Sequence, residues 1–109
     1  MTFSGNEGQM ITLAEGAELT ARHRMKYPNA TKGVAYGSEL IQQLLDNPGC
    51  VGVRMYFAQE SDGSQTLVVV GVDETGNDLL SLILDSGIRC PPTCGDSNAL
   101  NSDVKKDGK

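Results

Sequence analysis

A chain of 109 residues with 39% hydrophobic content has room for one domain and not for two, and its core must come from Leu, Val, Ile and Met because aromatics make up only 5% and Trp is absent. Fourteen acidic residues against nine Lys and Arg give a net charge of -5, which repels phosphate backbones and points away from nucleic acid. The longest apolar run, Leu67 to Val72, is too short to cross a bilayer; the N-terminus has neither a basic and apolar leader nor a glycine at position 2, so no membrane contact is expected and the chain reads as cytoplasmic.

Residues 1–10 are small and polar and read as a flexible arm, residues 11–95 as the single domain, and residues 96–109 as a polar tail in which only Leu100 is fit to dock. Thr12 and Glu15 have capping-box spacing, so a helix is predicted from Leu13 to Lys26, ended by Pro28. Its stripe of Leu13, Ala14, Ala17, Ala21 and Met25 is expected to lie close against a sheet. Lys32 to Tyr36 is a short strand candidate. Ser38 then caps a second helix that buries Leu40, Ile41, Leu44 and Leu45 and stops at Asn47-Pro48-Gly49.

Val51, Val53, Met55 and Phe57 alternate with Gly52, Arg54, Tyr56 and Ala58, the period of a half-buried strand. Gly63 sits in a hairpin loop after it. Leu67 to Val70 are apolar without alternation, which predicts a central strand covered on both faces. Asp73 to Asn77 is a second turn; its oxygen-rich side chains fail the calcium-loop register, since Gly76 falls at position four and Leu84 at position twelve. Leu80, Leu82 and Leu84 alternate around Ser81, so Leu79 to Leu84 is read as a third strand, although a short helix also fits the pattern.

The chemistry-bearing residues are few. Cys90 and Cys94 enclose two prolines at a spacing one residue too long for a thioredoxin-type motif. Free thiols, a structural disulfide and a metal site all remain open for them; with Cys50 and the lone His23 they would make a Cys3His set suited to zinc. The reach of the chain favours Cys90 and Cys94 as a mutual pair, with Cys50 buried and separate. Arg22, His23, Arg24 and Lys26 form the one basic cluster, explained most simply as cations at a helix C-terminus. Arg54, inside a strand beside Tyr56, is a candidate anion contact, with pairing to an acidic neighbour such as Glu39 or Asp85, or plain solvation, the simpler expectation. With one histidine and no nucleophile, phosphate-loop or zinc-protease motif, no catalytic residue is assigned.

The run Asn47-Pro-Gly-Cys-Val-Gly-Val-Arg-Met-Tyr56, with Leu67 to Asp73, Gly76-Asn77-Asp78 and Cys90-Pro-Pro-Thr-Cys94, resembles a group of small bacterial proteins without assigned function. The likeness runs from about residue 11 to residue 101. It implies that Cys50, Cys90, Cys94 and Arg54 belong to a family pattern, and it supplies no activity.

The expected architecture is α+β: two helices packed on a three- to four-stranded, mainly antiparallel sheet, with the tail turning back at Cys90 to Cys94. The expected function is a non-enzymatic protein-interaction or self-assembly module that forms a homo-oligomer and needs no cofactor. The alternative is a thiol-centred protein, zinc-binding or redox-active, using Cys50, Cys90 and Cys94.

Overall fold

Thr12 starts the first helix as its spacing requires. In the computed structural model, which describes residues 2–103, its hydroxyl accepts the Glu15 N–H at 3.1 Å and the Glu15 carboxylate accepts the Thr12 N–H at 2.9 Å. Helix α1 spans Leu13–Lys26, with Glu15 in its first turn and His23, Arg24 and Lys26 in its last, each complementing the helix dipole.

The packing of α1 differs from the expectation. None of its residues is buried, and Leu13, Leu19 and Met25 are exposed. Its half-covered face is Gly16, Ala17, Thr20, Ala21 and Arg24. That face meets the tail: Leu100 Cδ2 lies 3.2 Å from where a Cβ at Gly16 would stand. Arg24 donates to the Leu100 carbonyl at 2.8 Å and pairs with Asp103 at 2.8 Å. Side chains this small leave α1 without the bulk to fill the space to the sheet, and an open cleft of about 790 Å³ remains between α1, the first strand and the hairpin of the main sheet.

Strand β1 (Gly33–Ala35) precedes helix α2 (Ser38–Asp46). Gly37, not Ser38, is the cap residue of α2: its extended backbone occupies the cap position and no side chain bonds the first turn. Helix α2 stops at Asn47, whose N–H donates to the Leu44 carbonyl. Then come β2 (Gly52–Gln59), β3 (Gln65–Val72), β4 (Asp78–Leu84) and β5 (Ile88–Cys90).

Strands β2, β3 and β4 form an antiparallel meander with β3 in the centre, as its apolar run predicts. β2 and β3 pair without a break from Gly52↔Val72 to Gln59↔Gln65, joined by a loop in which Gly63 adopts φ +90. Between β3 and β4 the register slips: Val70 faces Ile83, but Gly71 faces Leu79, so Leu80, Ser81 and Leu82 stand out of the ladder. The last strand, β5, was not anticipated. It pairs antiparallel with β1, Val34 opposite Arg89, in a ribbon separate from the main sheet.

The core lies between α2 and β3. Leu44, Val69 and Leu84 are buried together, with Tyr36, Ile41 and Val53 packed against them. Fully burying such side chains stabilises by roughly 1.5–3 kcal/mol each. Gly71 makes this approach possible: a Cβ there would stand 2.8 Å from Cys50 Sγ and 3.4 Å from the Leu44 carbonyl oxygen. The start of the arm lies against the sheet. The Phe3 N–H donates to the Glu74 carbonyl at 2.7 Å, and the Phe3 ring sits where a side chain at Gly52 would be. No helix of the described residues is long and apolar enough to cross a membrane.

Candidate functional site

The thiols divide as the reach of the chain predicts. Cys90 and Cys94 form a disulfide with Cα atoms 4.6 Å apart. It closes the turn after β5, where Thr93 N–H donates back to the Arg89 carbonyl at 3.0 Å and Lys32 N–H to the Cys90 carbonyl at 2.6 Å. Cys50 is separate, but half-buried rather than buried. It lies on the connection between α2 and β2, its thiol over Gly71 and 3.1 Å from the Gly52 carbonyl oxygen. His23 packs against Tyr27 in a tilted arrangement, ring centroids 5.3 Å apart. Among the described residues, no group of three or more His, Cys, Asp and Glu side chains is gathered to hold a metal ion.

Arg54 is paired, but with neither Glu39 nor Asp85. Its guanidinium meets Asp78 at 2.5 Å, and Tyr56 donates its phenol to the same carboxylate. The register explains the choice. Gly52 and Asp78 both flank Val72, which brings the start of β4 diagonally across β3 to Arg54. The Tyr56 hydrogen bond, and then the Arg54 charge, hold the Asp78 carboxyl below its ordinary range. The Asp78 carboxylate, and then Tyr56, raise the Arg54 guanidinium above its ordinary value. A guanidinium so engaged is a cross-strand clasp, not a vacant anion contact.

The rest of the basic cluster is accounted for locally. Arg22 pairs with Glu18 one turn back at 2.8 Å, and Lys26 lies 5.9 Å from the Tyr27 ring centroid. The Asp73 turn is also self-contained: its carboxylate accepts the Thr75 and Asn77 N–H groups at 3.0 and 2.9 Å. These donors hold the Asp73 carboxyl below its usual value, the Thr75 hydroxyl most of all.

What remains without a partner is apolar. β4 is an edge strand, and no described residue pairs with its outer side. Between Leu79 and Leu84 it carries no charge. Leu80, Leu82 and Ile83 are exposed, Leu80 to 68%. Soluble proteins usually guard such an edge with a lysine, a proline or a covering segment. Between Leu79 and Leu84 there is neither lysine nor proline; the slipped register leaves Leu80 to Leu82 out of the ladder with β3, and Asn47 donates to the Ser81 hydroxyl at 3.1 Å. The sequence signalled the apolar run but not which edge it would occupy, because that depends on pairing. No protein-family model, no curated protein and no solved structure matches this chain.

Proposed function

We propose that this protein is a non-enzymatic self-assembly module, and that β4 is its contact strand. The observation that carries this reading is the uncharged outer edge of β4 with Leu80, Leu82 and Ile83 in solvent. Antiparallel pairing of β4 with the same strand of a second copy satisfies the outward backbone groups of both and continues the sheet through a two-fold axis. Cover favours this edge over the other: Leu79 to Leu84 carries no charge of its own, whereas the β2 edge has Phe3 lying over its first residue. The partner is therefore a second copy of the chain rather than nucleic acid or membrane, and no cofactor enters the reading.

Sedimentation velocity tests it. The parent protein is expected to show a concentration-dependent dimer, and Leu80→Lys and Ile83→Lys to be monomers with unchanged far-UV circular dichroism. A parent that stays monomeric at the highest attainable concentration, or lysine variants that dimerise as before, overturns the reading.

The thiol-centred alternative has the Cys90–Cys94 bond as its support. That bond also bears on location, because cytosolic thiols are kept reduced and the proposed compartment is the cytoplasm. A free-thiol count on protein trapped directly from cells separates the cases: Cys50 alone reacts if the pair is closed there, and all three cysteines if it is open.

A further inference from the structure

We propose that the cleft beneath α1 binds a small amphipathic carboxylate, its apolar body against the sheet and its carboxylate on Arg24. The cleft holds about 790 Å³, within the roughly 300–1,000 Å³ of small-molecule sites. Its apolar walls come from three elements: Leu19 of α1, Val34 of β1, and Phe57 and Leu67 of the sheet. Phe57 is 95% exposed, a ring standing in water at the wall of a cavity. An apolar group entering the cleft covers it.

The charge of the lining selects the other end of the ligand. The whole chain is acidic, yet among the described residues no Asp or Glu lines the cleft, while Arg24, Lys32 and His23 do. The Arg24 side chain is only 13% exposed, and its counter-ion, Asp103, is 92% exposed. A mostly covered arginine side chain thus holds a carboxylate that stands in solvent, where a second carboxylate can compete for the same bond. Lys32 donates to the neutral Asn101 carbonyl at 2.8 Å and makes no ion pair among the described residues. One cation is thus paired replaceably and another is not paired with an anion.

The tail already displays the ligand chemistry in small form. Leu100 contributes an apolar side chain to the cleft lining, and three residues later Asp103 places a carboxylate on Arg24. An external amphipathic carboxylate makes the same two contacts with a larger apolar body and displaces Asp103 from the guanidinium. This inference does not rest on β4 pairing, which uses a different strand.

Isothermal titration with octanoate, and with octanol as its uncharged counterpart, tests the assignment on the full chain. Octanoate is expected to bind saturably at one site and octanol about tenfold more weakly, the scale of a charge-assisted hydrogen bond. Arg24→Gln should bring octanoate down to the octanol level. Asp103→Asn, which removes the competing internal carboxylate, should tighten octanoate a few-fold, and this variant decides the matter if Arg24→Gln loses helix content. Ile83→Lys, the β4 variant, should bind octanoate as the parent does, so failure of self-association and failure of the cleft are read separately. Octanoate that does not saturate, octanoate and octanol of equal affinity, or Asp103→Asn without effect overturns the proposal.

Discussion

The two helices of this protein are held in opposite ways. Helix α2 puts Leu44 at 3% exposure into a core with Val69 and Leu84, so its order is inseparable from that of the sheet. Helix α1 is longer and better capped, yet buries nothing. Fourteen residues are marginal as an isolated helix, so α1 depends on its capping box, the Arg22–Glu18 pair and the contacts of the tail. The difference teaches that a well-formed element and a stabilising element are separate things. α2 is weakly capped and energetically central; α1 is fully capped and peripheral, which leaves it free to wall a cleft.

The comparison breaks most visibly at Leu44. Leu44→Ala should cost about 3 kcal/mol in urea unfolding, because it opens a cavity against Val69 that the sheet cannot close; a change as small as that of an exposed leucine would mean the core lies elsewhere. Gly71→Ala should cost about 1–3 kcal/mol, since its new methyl meets Cys50 Sγ at 2.8 Å. Adding Cys50→Ala should recover most of that loss, and a double mutant no more stable than Gly71→Ala would place the clash elsewhere.

On the other side of the comparison, Thr12→Ala should cost about 1 kcal/mol, felt within α1 alone. Hydrogen exchange of the α1 amides should quicken severalfold while the global unfolding midpoint stays in place. A matching loss of global stability would show that α1 is coupled to the core after all. The smallest effect concerns pH. The Asp78 carboxyl titrates lower in the folded chain than in the unfolded one, chiefly through Tyr56 and then Arg54. Its contribution is therefore full above the ordinary carboxylate range and is lost as pH falls through the lowered folded value. Melting temperatures taken between about pH 2 and pH 6 should fall less steeply for Asp78→Asn than for the parent; parallel curves would remove the clasp from the account.

Features set by neighbours in sequence were legible, and features set by distant pairing were not. Thr12, Glu15 and Pro28 bound α1 at both ends, Gly63 and Gly76 marked the turns of the meander, and the unbroken Leu67 to Val70 run identified the central strand. Strand β5 escaped because three residues carry no periodicity and its partner lies more than fifty residues upstream. The sequence leaves Arg54 open as an anion contact or a paired residue, and its actual partner requires knowing that Leu80 to Leu82 leave the ladder and that Asp78 faces Val72. The apolar stripe on α1 misplaced its covered face: Leu13, Ala14 and Met25 are exposed, and the half-covered side runs through Gly16, Thr20 and Arg24, where Gly16 meets Leu100 of the tail. For the proposed contact strand, the apolar run was readable and its edge position was not.

With Cys90 and Cys94 joined, Cys50 is the remaining thiol, and it rests where the connection from α2 crosses the central strand. The molecule therefore carries a built-in chemical clock at the seam between its core helix and its sheet. Under non-reducing conditions, alkylation takes place once per molecule at Cys50, and its rate, followed by mass, reports how readily that half-buried seam admits a reagent.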